Sequence, residues 1–571
     1  MSKKASISSI SQIVVTGEGR DEWGNRYIKL AVKGATINLP PFRLDQIGDD
    51  PKDLYSRLNN AGMAVLTPAA KNQLLNMLQD YKPTEPSFTV ATRLGWNGRV
   101  IVRPDQVIGK PKVPVELALS GLDIHMLAKY RVRGTLQDWQ TNVAEVCTGN
   151  TRLMFAVSLA FTGPILRLVS GPRGGGFQFN GPRETGKTTA GMLSGSVWGC
   201  RRDAGNSEIG FSETWNSTDN KIEVTALAHN DCLLILDETT LAGGNDQKRA
   251  QVVTNVVMTL SQQNEKQRLT NVTAARWWRC YFLSTSNHTL DEIAGQGRVY
   301  LDDAHRSRLT EIPLPTGGFG IYEDLHGFAS GEELTNELII RARKFFGSAG
   351  LEFQQKLVAD CRADKQELRK WLAGKRKDYS KRLKARAKRE SMKPLNRSTG
   401  RCATVYAAGC LAIRYGIVPW KKAQLLRAVL DCQLDGLRHV VESPKKADST
   451  FAGLRSKVLA YLRDHRREFI NLDKTKLQPD AHKFGSVPGY RAKFKGKKWL
   501  YVTAEQLSKI IGDGDGDDAD QVKKELVQSG ILCRGNNGRY VVQRPIFSGQ
   551  KGNKGYRRVH AFRLGKVSAE V

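Results

Sequence analysis

The run Gly181-Pro-Arg-Glu-Thr-Gly186-Lys187-Thr188-Thr189 has the spacing G-x-x-x-x-G-K-[ST]. Backbone N–H groups of such a loop can close around phosphate oxygens, because glycine lets the main chain turn tightly. Lys187 then supplies a point charge for the β and γ phosphates, and Thr188 a hydroxyl for Mg²⁺. The motif constrains folding because it works only between a strand and a helix. Gly175-Gly-Phe-Gln-Phe-Asn180 has a strand pattern ahead of it, and Ala190–Val197 has a helical pattern behind it. The N-terminus of that helix favours anions. Gly181, Glu184, Thr185, Gly186, Lys187, Thr188 and Thr189 are the expected phosphate-binding residues.

A phosphate loop needs one carboxylate to hold Mg²⁺ and another to polarise an attacking water. Cys232-Leu-Leu-Ile-Leu-Asp237-Glu238 offers both. Its apolar run reads as a strand buried on both faces. Asp237 falls at the C-terminal end, where open α/β sheets place their ligands. Asp237 is the expected metal carboxylate beside Thr188, and Glu238 the expected general base. A second apolar strand, Arg279-Cys-Tyr-Phe-Leu283, ends in Ser284-Thr-Ser-Asn287. A polar residue there can orient the lytic water, with Asn287 the first choice and Thr285 the second.

Ala304-His-Arg306-Ser-Arg308 precedes a strand-like Leu309-Thr-Glu-Ile-Pro313. A guanidinium at this place could reach a neighbouring subunit's γ-phosphate, and Arg308 is preferred to Arg306. The segment Asn264-Glu-Lys266-Gln-Arg268-Leu-Thr-Asn271 is either a hairpin projecting Lys266 and Arg268 onto a nucleic-acid backbone or a plain connecting loop.

The formal net charge of +31 points to a polyanionic partner, nucleic acid before membrane. Between Cys361 and Arg401 stand sixteen Lys/Arg and four Asp/Glu, a local +12. That stretch keeps helical apolar spacing at Leu368, Trp371, Leu372, Tyr379 and Leu383. It is either a phosphate-contact surface or a solvated helix face. The nine cysteines form no C-x-x-C pair and no cluster with histidine, which argues against zinc. Their odd count in apolar contexts fits a reducing cytoplasm. The longest apolar run, Leu153–Val169, is broken by Gly163-Pro164 and carries Arg167, so it reads as buried rather than membrane-spanning.

Organisation follows from these patterns. Residues 1–145 read as an α+β domain with strands at Ile13–Thr16 and Tyr27–Val32 and one helical stretch, Pro51–Tyr81. Residues 146–345 alternate strands and helices, as a parallel sheet requires. Residues 346–445 form the basic helical region. Residues 446–571 end in two helical patterns and two strand patterns, at Tyr540–Gln543 and Val559–Arg563, a winged-helix-like order. Asp513–Asp520 lacks the glycine and the closing glutamate of a calcium loop. His229 reads as a packing or capping residue.

Several of these runs resemble a bacterial family known as domain of unknown function 927. They include Gly176-Phe-Gln-Phe-Asn-Gly181, Thr185-Gly-Lys-Thr-Thr189 and Ser196-Val-Trp-Gly199. Trp96-Asn-Gly98, Thr218-Asp-Asn220, His229-Asn-Asp231 and Leu325-His-Gly-Phe328 belong with them, over roughly residues 20 to 350. The resemblance implies a P-loop ATPase of the AAA+ kind, found in primase–helicase proteins of prophages and mobile elements. Thr285-Ser-Asn287 also resembles the sensor of superfamily 3 helicases, and a winged helix after the ATPase is similar to minichromosome maintenance helicases. Pro182-Arg183-Glu184 departs from the small polar residues common in the family's loop, and no primase-like acidic motif precedes the ATPase segment.

The expectation is therefore a multidomain α/β AAA+ ATPase, cytoplasmic, using ATP and Mg²⁺. It would act on single-stranded and double-stranded DNA as a ring, a hexamer first, that unwinds or translocates. Three other functions fit the same residues: an AAA+ regulatory or antiphage ATPase remodelling a protein partner, an ATP-switched origin-binding initiator, and a basic module with a vestigial loop.

Overall fold

The computed structural model describes residues 10–33, 39–63, 67–82, 85–118, 129–171, 174–200, 210–216, 219–264, 277–315, 318–392, 394–442, 451–473, 487–511, 522–524, 526–527, 530–535, 540–547 and 555–563. The chain divides into two compact units, Met1–Leu290 with Leu301–Val440, and Asp291–Tyr300 with Val441–Val571.

The first unit opens on β1 (Ile13–Arg20) and β2 (Arg26–Val32), an antiparallel hairpin. Asp21 closes its turn by accepting from the backbone N–H of Trp23 and Asn25, both at 2.9 Å. With β3 (Phe42–Arg43), β4 (Phe88–Ala91) and β8 (Val115–Leu117) they form a sheet of order β3-β2-β1-β4-β8. The expected single helix over Pro51–Tyr81 is two, Lys52–Asn60 and Pro68–Gln79. Gly62 takes φ +92°, which ends the first. Thr67 caps the second through Ala70 N–H, with Pro68 in its first turn. Leu54, Leu58 and Leu74 from these helices bury against Ile28 and Leu30 of β2. A separate three-stranded sheet follows, β5 (Gly95–Asn97), β6 (Val100–Val102) and β7 (Val107–Ile108).

The central sheet holds β9 (Gly176–Asn180), β10 (Glu213–Thr214), β11 (Leu233–Asp237), β12 (Tyr281–Ser286) and β13 (Leu309–Pro313). All four pairings are parallel, in the order β10-β11-β12-β9-β13. Every residue of β9, β11 and β12 is buried, as the apolar runs of β11 and the first half of β12 required; β9 buries Gln178 and Asn180 as well. The run Leu153–Val169 supplies helices Thr151–Ala160 and Thr162–Ile165, both wholly buried. The order separates the phosphate-loop strand β9 from the acidic strand β11 by one strand, β12. Ser284 of β12 pairs with both Leu236 and Gln178, so the C-terminal ends of the three strands lie level.

Helices Gly331–Lys344, Ser348–Arg389, Asn396–Arg414 and Lys422–Glu442 complete this unit. The long one breaks at Asp364, whose φ of −152° is not helical. Asp364 Oδ1 caps the segment beyond it, accepting from Gln366 and Glu367 N–H at 2.9 Å. Leu368, Leu372, Tyr379 and Leu383 are buried at the expected spacing, and Trp371 is half-buried. One apolar cluster draws members from Leu94 to Leu434, and the sequence-based cuts at 145 and 345 both fall inside that range.

In the second unit, β14 (Ile470–Asn471), β15 (Tyr490–Phe494), β16 (Lys497–Val502), β17 (Val542–Phe547) and β18 (Gly555–Arg563) form a sheet of order β14-β15-β16-β18-β17. Helix Ala504–Ile511 packs on it through Leu507, which joins Leu500, Val502 and Phe562 in the core. The expected two-stranded ribbon is thus extended by β16, with β15 and β14 beyond it. The β15–β16 hairpin escaped the sequence reading because Lys493–Lys498 has no apolar alternation.

Candidate active site

The phosphate loop leaves β9 at Asn180 and enters helix Lys187–Ser196, which starts three residues earlier than its sequence pattern suggested. Gly186 caps that helix at φ +91°. A Cβ there would lie 2.4 Å from Ile321 Cγ2, so only glycine fits both the turn and its neighbour. Ile321 N–H donates to Thr185 O at 2.9 Å, so a distant segment braces the loop from outside. Sequence reading missed this brace, since nothing at Gly320-Ile321 announces it. Thr185 Oγ1 donates to Pro182 O at 2.8 Å, Glu184 is exposed at φ +61°, and Thr189 is buried.

Lys187 is buried and turns its ammonium onto the carbonyls of Gly181, at 2.8 Å, and Pro182. Burial pushes its pKa down, while Glu238 and Asp237 hold it up. Thr188 Oγ1 lies 3.2 Å from both carboxylate oxygens of Asp237. Thr285, the second choice for the sensor, donates its hydroxyl to Asp237 Oδ1 at 2.6 Å and accepts from Glu238 N–H at 2.8 Å. The β12 strand therefore ties Asp237 and Glu238 together. Burial pushes the Asp237 carboxyl above the usual aspartate range, against the Thr285 and Thr188 hydroxyls that favour its charged form.

Glu238 occupies the left-handed region, φ +62°. Its Oε1 accepts from the Thr240 hydroxyl at 2.5 Å and from Thr240 N–H at 3.3 Å. A non-glycine residue held there is strained, which is commonest where function demands it. Asn287 emerges between loop and acidic pair: Ser286 O accepts from Gly181 N–H at 3.2 Å, and Ser286 Oγ bonds Thr239 Oγ1 at 2.7 Å. Asn287 Oδ1 is buried with no hydrogen-bond partner among the described residues. A buried amide oxygen without a partner costs about 1–3 kcal/mol, so it fits a position completed by a bound group.

Arg308 is not part of this cluster. Leu309 pairs with Gly176, the first residue of β9, so Arg308 lies at the opposite end of the strands from the phosphate loop. Five residues of strand separate the two ends, roughly 16 Å. Its guanidinium donates to Ala304 O at 2.7 Å, and among the described residues it has no ion pair. Arg306 is exposed and lies 3.7 Å from Asp303. Lys266 and Arg268 lie outside the described residues.

Behind the site, Glu311 of β13 accepts from Asn180 Nδ2 at 2.9 Å, Gln178 Nε2 at 3.3 Å and Leu290 N–H at 2.8 Å. Asp231 accepts two bonds from Arg279, at 2.6 and 2.8 Å, and one from Trp96 N–H at 2.9 Å. Asn230 Nδ2 donates to Leu94 O at 2.6 Å. Trp96-Asn-Gly98 and His229-Asn-Asp231, far apart in sequence, thus meet as a structural lock. His229 is buried, with Nδ1 at 2.7 Å from Thr225 O, and burial pushes its pKa to about 3, so it is a neutral packing group.

Residues 4–276 match the family profile described as Domain of unknown function (DUF927). No curated protein matches the chain. The fold is similar to that of a solved structure described as "SCCmec type IV Cch - active helicase". The TM-score is 0.53 at 13% identity, covering 97% of this chain and 94% of that one. A structure described as "The A form apo structure of NrS-1 C terminal region-CTR" aligns over 97% of both chains at 11% identity, with a TM-score of 0.29. Among the described residues no helix is long and apolar enough to cross a membrane.

Proposed function

We propose that this chain is a P-loop ATPase of the AAA+ kind that unwinds or translocates along DNA as a ring, in the service of a mobile element. The observation that carries the reading is the Thr188–Asp237–Thr285 contact, which joins the phosphate loop, the acidic strand and the strand between them. The parallel order with β12 between β9 and β11 supports it, because one polar strand end then serves both carboxylates. The charge of +31 and the likeness in fold to a structure described as an active helicase support DNA as the partner.

The residues suit ATP and Mg²⁺. Gly186 lets the loop turn tightly against Ile321, and the Lys187 ammonium sits on the loop's own Gly181 and Pro182 carbonyls, at the place a phosphate would take. Thr188 and Asp237 would hold Mg²⁺, which when bound offsets phosphate charge. Glu238 takes the proton of the attacking water, and Asn287 orients that water through its unpartnered Oδ1. Thr285 holds Asp237 and the Glu238 backbone in register. Arg308, too far from its own loop, serves the site of the next subunit, where a guanidinium stabilises the charge on the transferring phosphoryl.

The test is ATP hydrolysis with and without single-stranded DNA, on material of measured mass, alongside a strand-displacement assay. Lys187→Ala should abolish turnover. Glu238→Gln should retain ATP while turnover falls by at least about 100-fold. Wild-type hydrolysis by Glu238→Gln would remove Glu238 from its role. Turnover without strand displacement would favour remodelling of a protein partner.

A further inference from the structure

The second unit carries a cationic hairpin that the proposed ATPase chemistry does not use. β15 and β16 are joined by Lys495 at φ +49° and Gly496 at φ +75°. Two consecutive left-handed residues make the tight turn that matches strand twist. Lys493, Lys495, Lys497 and Lys498 crowd its tip, all exposed, and none has an ion pair among the described residues. Lys493 stands directly across the ladder from Lys498. Like charges placed so destabilise a hairpin. An anion would relieve that repulsion.

Aromatic surface lies on the opposite face of the same hairpin tip. Phe494, across from Lys497, is 41% exposed at the tip. Strand alternation puts Ala492, Phe494, Lys497 and Trp499 on one face, and Arg491, Lys493 and Lys498 on the other. A cavity of about 240 Å³ beside the hairpin is lined by Arg466, Arg491, Lys493, Lys498 and Trp499, with Asn471, Asp473 and Ala492. Asp473, its one carboxylate, already accepts from Lys493 N–H at 2.8 Å. Arg491 donates to Arg466 O at 3.4 Å, and its Nε is buried without a hydrogen-bond partner among the described residues.

We propose that this hairpin holds a nucleic-acid strand. Lys493, Lys498 and Arg491 take backbone phosphates, and Phe494 stacks on an unpaired base. A single strand repeats an anion and a flat π-face at short intervals, so its phosphates can take the lysine face while a base reaches the ring on the other side of the tip. The inference rests on the functional reading above for the identity of the polymer.

The experiment uses the full chain and a short fluorescein-labelled oligothymidylate, with binding followed by anisotropy across a salt series. Circular dichroism and elution volume check that each variant folds. The double variant Lys493→Glu/Lys498→Glu should bind more than about 10-fold more weakly. It should also lower the slope of log K against log salt by about 1.4, two phosphate contacts on a single strand. Phe494→Ala should weaken single-strand binding by roughly 5- to 100-fold, and a duplex of the same length by less. If the unaltered chain binds and both folded variants bind equally well, the hairpin is not the contact. Equal capture of poly-glutamate, with the same loss in Phe494→Ala, would overturn the proposal in favour of an acidic protein partner. If the hairpin binds the strand while ATP is not hydrolysed, the motor reading fails and the hairpin stands. No oligonucleotide binding by the unaltered chain would end both.

Discussion

Asp237 carries a charge that its surroundings resist. It is buried, and its carboxyl titrates above the ordinary aspartate range because desolvation outweighs the two threonine hydroxyls. Its ionised form therefore costs stability at neutral pH. Asp237→Asn should abolish turnover yet raise the melting temperature, by roughly 1 °C per kcal/mol gained in a unit of this size. The sign follows from linkage: with its folded pKa raised, the native state takes up this proton before the unfolded chain does. The penalty is full above the raised value and fades as pH falls through it. The gap in melting temperature between wild type and Asp237→Asn should accordingly close on acidification, which calorimetry at two pH values can check. Residue types at this site were legible from motif spacing. The role of Thr285 as the bridge between Asp237 and Glu238 was not, because a bond between adjacent strands leaves no mark on local sequence.

Among elements, the meeting of β5 with the start of β11 is decided by one buried ion pair. Asp231 binds Arg279 at two points and caps Trp96 N–H, while Trp96 Nε1 donates to Pro164 O at 2.8 Å. Removing one partner of a buried pair strands the other, so Asp231→Ala should cost about 3–5 kcal/mol. An earlier urea transition together with solvent exposure of Trp96 would report it. Gly95 faces this carboxylate so closely that an added Cβ would sit 2.5 Å from Asp231 Oδ2. The strands themselves were legible: β11 and β12 follow from apolar runs that only a doubly covered sheet can bury, and β9 from its strand pattern ahead of the glycine-lysine loop. The split of the first helical stretch at Gly62 and the β15–β16 hairpin were not. One turns on a single residue's φ, and the other is built from lysines rather than alternating apolar side chains.

At the scale of the molecule, Arg308 and the phosphate loop lie at opposite ends of two neighbouring strands, so one chain does not complete its own site if Arg308 acts on phosphate. Arg308→Ala and Lys187→Ala should each be inactive alone. Mixed, they should regain part of the ATPase rate, because a Lys187→Ala subunit can lend its Arg308 to an intact loop next door. Failure of the mixture, with both variants assembled by mass, would take Arg308 out of the reaction. The sequence by itself determined the residue types of the candidate site and the kind of core: a glycine-bracketed lysine loop, a buried strand ending in two carboxylates, and a surplus of positive charge. Those are local properties, set by residue type and spacing. Only the tertiary structure decided which strand stands between loop and acids, that Ile321 closes on Gly186, and that the candidate arginine faces away from its own loop. Strand order and packing are fixed by contacts between residues remote in the chain, whose free energy no local pattern carries.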